Sequence, residues 1–266
     1  MLLQRLNSGY LRVVAGCAWL LMSLSAQSDE GRWPADAFAQ TTMEGAMDVL
    51  FGARHPIVNP GIEITAPDTA EDGAVVPVTV NSRLQHSEAI YIFVAKNVIP
   101  LLAVFYLDSR SEPKLSTRIK MAEDDDIVVV VKATGNYYVA HKRVEVAVGG
   151  CSGNADLAEW RKWPVSIKMR LRKEGKWTRL RALVNHPMEN GRRIDPVTGA
   201  TAAAFYIREL RVESNEITLL QAFLGPGIAT NPYLNFKFNG AVVGETIRLH
   251  WIDNLEQSDE ASVAVK

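Results

Sequence analysis

The sequence predicts an all-β protein made of two antiparallel β-sandwiches, with a helix ahead of the first. Two observations support this fold class. Short apolar and β-branched runs follow one another, many of them alternating with polar residues at a period of two, and turn residues separate them at the spacing of sandwich strands. Within the first series of strands, no second helical pattern interrupts the alternation.

The N-terminus has the layout of a secretory signal peptide, which we assign to residues 1–28. Arg5 and Arg12 precede an apolar run from Val13 to Leu24, and small residues follow it. The run is shorter than the ~20 residues of a membrane span. A lipoprotein-like box ends at Cys17, but the apolar segment follows this box instead of preceding it, which disfavours lipidation. We therefore expect a periplasmic protein that does not span the membrane.

Residues 29–148 are predicted to form the first sandwich domain. A helix begins near Pro34, which suits a first turn, and ends at Gly52, which suits a helix stop. Seven β-type runs follow, separated by turn signals such as Asp72-Gly73 and Gly135-Asn136. The predicted strands are Ile62–Thr65, Ala74–Val80, Ala89–Val94, Leu101–Leu107, Ser116–Met121, Ile127–Ala133 and His141–Val148.

Residues 149–163 are predicted to be an arm that carries a thiol, and Cys151 is the candidate site. Glycine loses the most backbone freedom on ordering, so Gly149, Gly150 and Gly153, with Ser152, predict a flexible arm. Cys151 has no partner if Cys17 leaves with the signal. Three interpretations remain open: a reactive attachment point, a buried small hydrophobe, or a disulfide to another chain.

Residues 164–266 are predicted to form the second sandwich domain. Val165, Ile167, Met169 and Leu171 alternate with polar and basic residues, the clearest period of two in the chain. The later predicted strands are Trp177–Val184, Ala203–Val212, Glu216–Phe223, a strand around Leu234–Phe238, Thr246–Ile252 and Ala261–Val265.

The remaining polar groups do not predict catalysis. The five histidines lack metal-ligand spacing, and no nucleophile elbow or carboxylate pair is visible. The acidic run from Glu123 to Asp126 favours a solvated turn over a calcium loop, which needs spaced ligands and a glycine. The loop from Asn185 to Arg193 is either solvated or recognises an anion or a partner. With a net charge of −1 the chain has no basic footprint for nucleic acid. We expect no catalytic residue, metal or cofactor.

Several motifs resemble the Sox thiosulfate-oxidation carrier. The first half resembles its Y subunit, above all at Val148-Gly149-Gly150-Cys151, and the second half resembles its Z subunit. The Z-like motifs are Arg181–Glu189, Arg192-Arg193, Phe205–Glu209, Gly225–Ile228, Asn231–Tyr233 and Trp251–Asn254. Ser152 stands where the family usually has glycine, and the chain continues past the cysteine instead of ending near it.

This resemblance implies two immunoglobulin-like sandwiches packed on each other, with sulfur intermediates held covalently on Cys151 while other proteins act on them. The expected partners are periplasmic sulfur-oxidising enzymes. Fused chains of this kind also resemble SoxYZ-like proteins associated with a quinoprotein dehydrogenase, which would then be the partner. The alternative function is a non-covalent accessory protein for such a dehydrogenase, without sulfur transfer.

Overall fold

The chain folds into two β-sheets packed face to face, with two short helices on the outer side of the larger sheet. A computed structural model describes residues 33–149, 166–194 and 199–266. The predicted signal peptide and most of the predicted arm, including Cys151, lie outside these ranges. Among the described residues, no helix is long and apolar enough to cross a membrane.

The elements of the N-terminal half, residues 33–149, are two helices and nine strands. They are α1 (Ala35–Phe38), α2 (Met43–Phe51), β1 (Ile57–Val58), β2 (Ile62–Thr65), β3 (Thr69–Ala70), β4 (Val76–Ser82), β5 (Ser87–Val94), β6 (Leu101–Leu107), β7 (Ser111–Ile119), β8 (Asp125–Ala133) and β9 (Asn136–Val146). The described elements of the C-terminal half, residues 166–266, are all strands. They are β10 (Ile167–Glu174), β11 (Trp177–Val184), β12 (Ile207–Ser214), β13 (Ile217–Leu224), β14 (Tyr233–Asn239), β15 (Thr246–Asp253) and β16 (Ser258–Ala264).

Both sheets run through both halves. The ten-stranded sheet has the order β1-β9-β8-β5-β6-β13-β12-β15-β16, with β3 pairing with β9, and the six-stranded sheet has the order β10-β11-β14-β7-β4-β2. The halves meet where β6 pairs with β13 and where β7 pairs with β14, both antiparallel. One buried apolar cluster between the sheets includes residues of both halves, from Ile62 to Val265. The two predicted sandwiches therefore share their sheets.

The predicted all-β class, with immunoglobulin-like sandwich sheets and a helix at the N-terminus, is confirmed. The structure divides the expected helix into α1 and α2, because the Thr42 backbone is extended and its hydroxyl caps α2 by accepting a hydrogen bond from Gly45 N at 3.1 Å. Gly52 ends α2 with a φ of +59°, as predicted for a helix stop. The helices cover the aromatic outer face of the ten-stranded sheet, where Phe51 contacts Tyr91 and Tyr137.

Strand boundaries differ from prediction where pairing is non-local. β12 begins at Ile207 instead of Ala203, because Phe205 forms an isolated bridge with Glu189 instead of joining the sheet. The short strands β1 and β3 were not predicted, and both pair in parallel with β9. Pro77 lies within a strand, although proline has no N–H to donate to a neighbouring strand. It lies on β4 beyond the end of the pairing with β2, so its missing N–H breaks no hydrogen bond on that side.

Candidate functional site

The root of the predicted arm, at Val148 and Gly149 just after the end of β9, is held by backbone hydrogen bonds. Gly73 N donates to Val148 O at 2.7 Å, and Met121 N donates to Gly73 O at 2.7 Å. Asp124, from the acidic run, accepts a hydrogen bond from Val146 N at 2.6 Å. The arm therefore leaves the sheet from an anchored position.

Gly149 is the last described residue before Cys151, and it makes a close backbone contact. A Cβ atom at this position would lie 2.3 Å from the carbonyl oxygen of Ala122. Real Cβ atoms do not approach backbone oxygen so closely, so only glycine fits here without movement. Gly149 was predicted to belong to the flexible arm, and the structure shows that it packs against the turn before β8. The flexibility predicted for Gly150, Ser152 and Gly153 concerns residues outside the described ranges.

Substitution of Gly149 by alanine is expected to destabilise the protein by about 1–3 kcal/mol, because the new methyl group must displace the Ala122 backbone. Thermal unfolding measures this change as a lower Tm. The matched control is Val148→Ala, which removes methyl groups from a side chain that is 64% exposed and should change stability little. Equal Tm values for Gly149→Ala and the wild type would contradict the close contact.

A cleft of about 300 Å³ lies at the junction of the two halves. Phe38 and Ile99 contribute apolar walls from the N-terminal half, and Pro226 contributes one from the C-terminal half. Lys120 and Arg192 also line it, so the cleft combines apolar walls with two cationic side chains. Small-ligand sites have this composition, an apolar surface with a few convergent polar groups.

Asn97 connects this cleft to the root of the arm. Its side chain lines the cleft and donates to Lys120 O at 2.7 Å. Its Oδ1 accepts a hydrogen bond from Ala122 N at 3.0 Å, and Ala122 is the residue whose carbonyl oxygen abuts Gly149. A chain of contacts through Asn97 and Ala122 therefore joins the cleft to the arm root.

Lys120 bridges the two halves of the molecule. Its Nζ donates to Pro226 O at 3.1 Å and to Met188 O, while Lys120 itself directly follows β7 of the N-terminal half. The Lys120 backbone N–H also donates to Gly227 O at 2.7 Å. These bonds hold the loops of the C-terminal half against the end of β7 and shape one wall of the cleft.

The loop from Asn185 to Arg193, for which two interpretations were open, is largely buried at its start. The side chains of His186 and Met188 are 1% and 0% exposed, so this part is not a solvated loop. Arg193 forms an ion pair with Glu189, with Nε 3.0 Å from Oε2, and does not face the cleft as a free cation. Arg192 is the exposed arginine that lines the cleft. Of the two adjacent arginines, only Arg192 therefore presents its charge to the cleft.

His186 is held in one neutral form. Its Nδ1 accepts a hydrogen bond from Met188 N at 3.2 Å, so the proton of the neutral ring is on Nε2. Burial, with a smaller effect of the Lys120 charge, lowers the pKa of His186 from 6.5 to about 3. Nε2 lies 3.7 Å from Asp253 Oδ2, beyond hydrogen-bonding distance. Burial also raises the pKa of Asp253. Both groups are buried, and neither lines the cleft.

Sequence patterns did not predict Asn97, Lys120 or Asp253 as part of this region. Asn97 lies in the connection between β5 and β6, and Lys120 follows the end of β7, so the alternation of strand residues distinguishes neither of them. Asp253 belongs to the Z-like motif Trp251–Asn254. Its position beside His186 depends on packing between residues that are far apart in the chain. Each of these roles depends on contacts between distant segments, which periodicity does not report.

Two protein families match the chain in tandem. The family described as "Sulfur oxidation protein SoxY" matches residues 47–151, and its match ends at Cys151. The family described as "Sulphur oxidation protein SoxZ" matches residues 167–264. The boundary between the two matches falls on the segment that was predicted to be the arm and linker. No curated protein matches the chain in sequence.

Solved structures with some likeness include the sulfur carrier protein SoxY from Chlorobium limicola f thiosulfatophilum, which is 36% identical. That match covers 40% of this chain and 97% of the other, with a TM-score of 0.38. A superoxide reductase (neelaredoxin) from Ignicoccus hospitalis is 15% identical and has a TM-score of 0.29 over 32% of this chain and 79% of its own. These scores are low, so the assignment rests on the two family matches. The chain belongs to the SoxYZ type of sulfur-oxidation protein, with a SoxY domain and a SoxZ domain fused in one polypeptide.

Proposed function

We propose that this protein is a periplasmic carrier that holds sulfur intermediates covalently on Cys151 while separate enzymes of thiosulfate oxidation act on them. The observation that carries the proposal is the SoxY match, which ends on the cysteine of the Gly-Gly-Cys segment. The carrier itself needs neither a cofactor nor a catalytic residue, because its partners perform each chemical step.

The chemistry that we propose begins with the Cys151 thiolate, the nucleophilic form of the residue. Formation of a sulfur–sulfur bond with thiosulfate gives an S-thiosulfonate and removes two electrons, which an electron-accepting partner enzyme must take. Hydrolysis of the terminal sulfonate by a second enzyme consumes one water, releases sulfate and two protons, and leaves a persulfide on Cys151. Transfer of the outer sulfur to a thiolate of a partner protein, which thereby becomes a persulfide, regenerates the Cys151 thiolate.

The geometry of the arm root supports such a carrier. Cys151 is two residues beyond Gly149, so covalent geometry limits the separation of their Cα atoms to about 7 Å. The anchored root lies beside the cleft of Lys120 and Arg192. A sulfonate group is anionic, and cationic side chains form strong charge-assisted hydrogen bonds with such groups. We therefore propose that the cleft holds the sulfur intermediate when no partner enzyme is acting on it.

Intact-mass analysis of protein purified without reductant tests this proposal. We expect species heavier than the unmodified protein by sulfur, sulfonate or thiosulfonate groups, and we expect proteolysis to place each adduct on the peptide that contains Cys151. Treatment with a reductant should remove the disulfide-linked adducts. A single unmodified mass, with Cys151 inaccessible to thiol reagents in the folded protein, would overturn the proposal. A covalent dimer on non-reducing electrophoresis would indicate an interchain disulfide instead.

A further inference from the structure

The outer face of the six-stranded sheet bears a cluster of basic side chains, which we call the basic face. On β10, Ile167, Met169 and Leu171 pack against the core, so the alternate residues point outward. The same alternation on β11 and β14 directs further basic residues to this side. The basic face comprises Lys168, Arg170, Arg172, Arg179, Arg181 and Lys237.

The strand register places like charges directly opposite one another. Arg170 pairs with Arg181 and Arg172 pairs with Arg179 between β10 and β11, and Arg179 pairs with Lys237 between β11 and β14. Like charges at directly opposite positions destabilise a sheet, by an amount comparable to the ~0.2–1 kcal/mol of favourable pairs. Three such pairs in succession therefore oppose the stability of the fold.

One carboxylate relieves part of this repulsion. Glu174 contacts Arg179 through both oxygens, at 2.8 and 3.0 Å, and its Oε2 lies 3.1 Å from Lys237 Nζ. Hydrogen bonds from Arg179 and Lys237 lower the pKa of Glu174 from 4.5 to about 2. Glu174 therefore remains ionised and neutralises one end of the basic face.

The other end of the basic face is not neutralised. Within the described part of the chain, no acidic side chain forms an ion pair with Lys168, Arg170, Arg172 or Arg181, and all four are exposed. The opposite sheet of the same half is different, because its outward Arg211 contacts Glu209 at 2.6 Å and its Arg248 contacts Glu260 at 3.9 Å. Of these two outward sheet faces, only the basic face carries a group of unpaired basic side chains, on a chain whose net charge is negative.

Protection of a sheet edge explains only part of this pattern. β10 is the edge strand of the six-stranded sheet, and charged residues on an edge discourage pairing with other chains. Arg179 and Arg181 lie on β11, however, which has neighbours on both sides. Basic residues on an interior strand do not protect an edge, so the basic face needs another explanation.

The composition of the face favours a protein partner. Trp177 lies beside Lys176, with Nζ 5.4 Å from the ring centroid, and Tyr233 lies under Arg118 at 4.9 Å. Arginine, tryptophan and tyrosine are enriched in protein interfaces. A lipid surface usually requires apolar side chains that insert, and none of the described large apolar side chains that are exposed lies on β10, β11 or β14.

We propose that the basic face docks a partner protein whose contact surface is rich in aspartate and glutamate. The unpaired arginines would form charge-assisted hydrogen bonds with its carboxylates and would accelerate the encounter through long-range attraction. This docking does not depend on the sulfur chemistry of Cys151, and the face lies on the SoxZ part of the chain.

Binding of the full mature protein to fluorescein-labelled poly-L-glutamate tests this proposal. The variant Arg170→Gln with Arg181→Gln should weaken binding at least about tenfold, and the wild-type affinity should fall as salt rises. The matched control, Arg211→Gln with Arg248→Gln, removes the same charge from the opposite sheet and should change affinity less than about twofold. The basic-face variant should have a Tm no lower than that of the wild type, because removal of the two arginine charges relieves the Arg170–Arg181 repulsion.

Three results would overturn the proposal. Equal weakening by both double variants would show that bulk charge alone controls binding. Binding to phosphatidylglycerol vesicles but not to poly-L-glutamate, abolished by the Arg170 and Arg181 changes, would assign the face to membranes. A wild-type dimer in sedimentation velocity that the same changes convert to a monomer would assign it to a second copy of this chain.

Discussion

Replacement of Cys151 by serine is expected to abolish every sulfur adduct on the protein and any thiosulfate oxidation that depends on it. A serine hydroxyl cannot form the sulfur–sulfur bond that holds the cargo, and it remains protonated at neutral pH. Intact mass measures the first effect, and thiosulfate consumption by cells that carry only the variant measures the second. We expect complete loss in both measurements.

The neighbouring substitution Ser152→Ala is the matched control, since it changes the same segment and keeps the thiol. It should retain adducts and thiosulfate consumption. Cells that keep full function with Cys151→Ser would contradict the carrier proposal. That outcome would favour the alternative, a non-covalent accessory protein of a quinoprotein dehydrogenase.

Acidification is expected to destabilise the fold through His186. The pKa of this residue is about 3 in the folded protein and about 6.5 in the unfolded chain. Between these values the unfolded chain binds a proton that the folded protein does not, so lowering the pH favours unfolding. From pH 7 to pH 5 this difference corresponds to a loss of about 2 kcal/mol in the free energy of unfolding.

Asp253 contributes with the opposite sign. Burial raises its pKa in the folded protein, so the folded state binds a proton more readily than the unfolded state, and acidification through that range stabilises the fold. The pH dependence of stability therefore contains a destabilising contribution from His186 and an opposing contribution from Asp253.

The variant His186→Asn isolates the histidine effect. The asparagine Oδ1 can accept the hydrogen bond from Met188 N that the histidine Nδ1 accepts, but asparagine does not titrate. Urea denaturation at pH 7, 6 and 5 should show that the variant loses about 2 kcal/mol less than the wild type over this range. Parallel stability curves for the two proteins would contradict a neutral buried His186.

Local patterns predicted most of the strands. On β10 the apolar residues Ile167, Met169 and Leu171 recur at a period of two, which is the geometry of a strand with one buried face. The apolar run of β6 predicted a strand without showing that β6 would be central. β6 is buried on both faces because the helices cover one side of it and the six-stranded sheet covers the other.

Prediction was less complete where a cap or a distant partner decided the outcome. The apolar spacing across Phe38 and Met43 suits one helix, but the capping hydroxyl of Thr42 starts a second one. The same limit applies to the candidate site. The neighbouring glycines and Cys151 predicted that Gly149 belongs to an arm. Its contact with Ala122 and the adjoining cleft were visible only in the structure.

Local patterns along the chain are sufficient to predict the all-β class, most of the strands and the position of the one thiol expected in the mature chain. These properties depend on residues that are neighbours along the chain, and alternation or glycine content reports them directly. Tertiary structure alone decided that both sheets continue from one half to the other, that Lys120 joins the halves beside a cleft, and that six basic side chains share one sheet face. These arrangements depend on strand register and on contacts between distant residues, which no local pattern encodes.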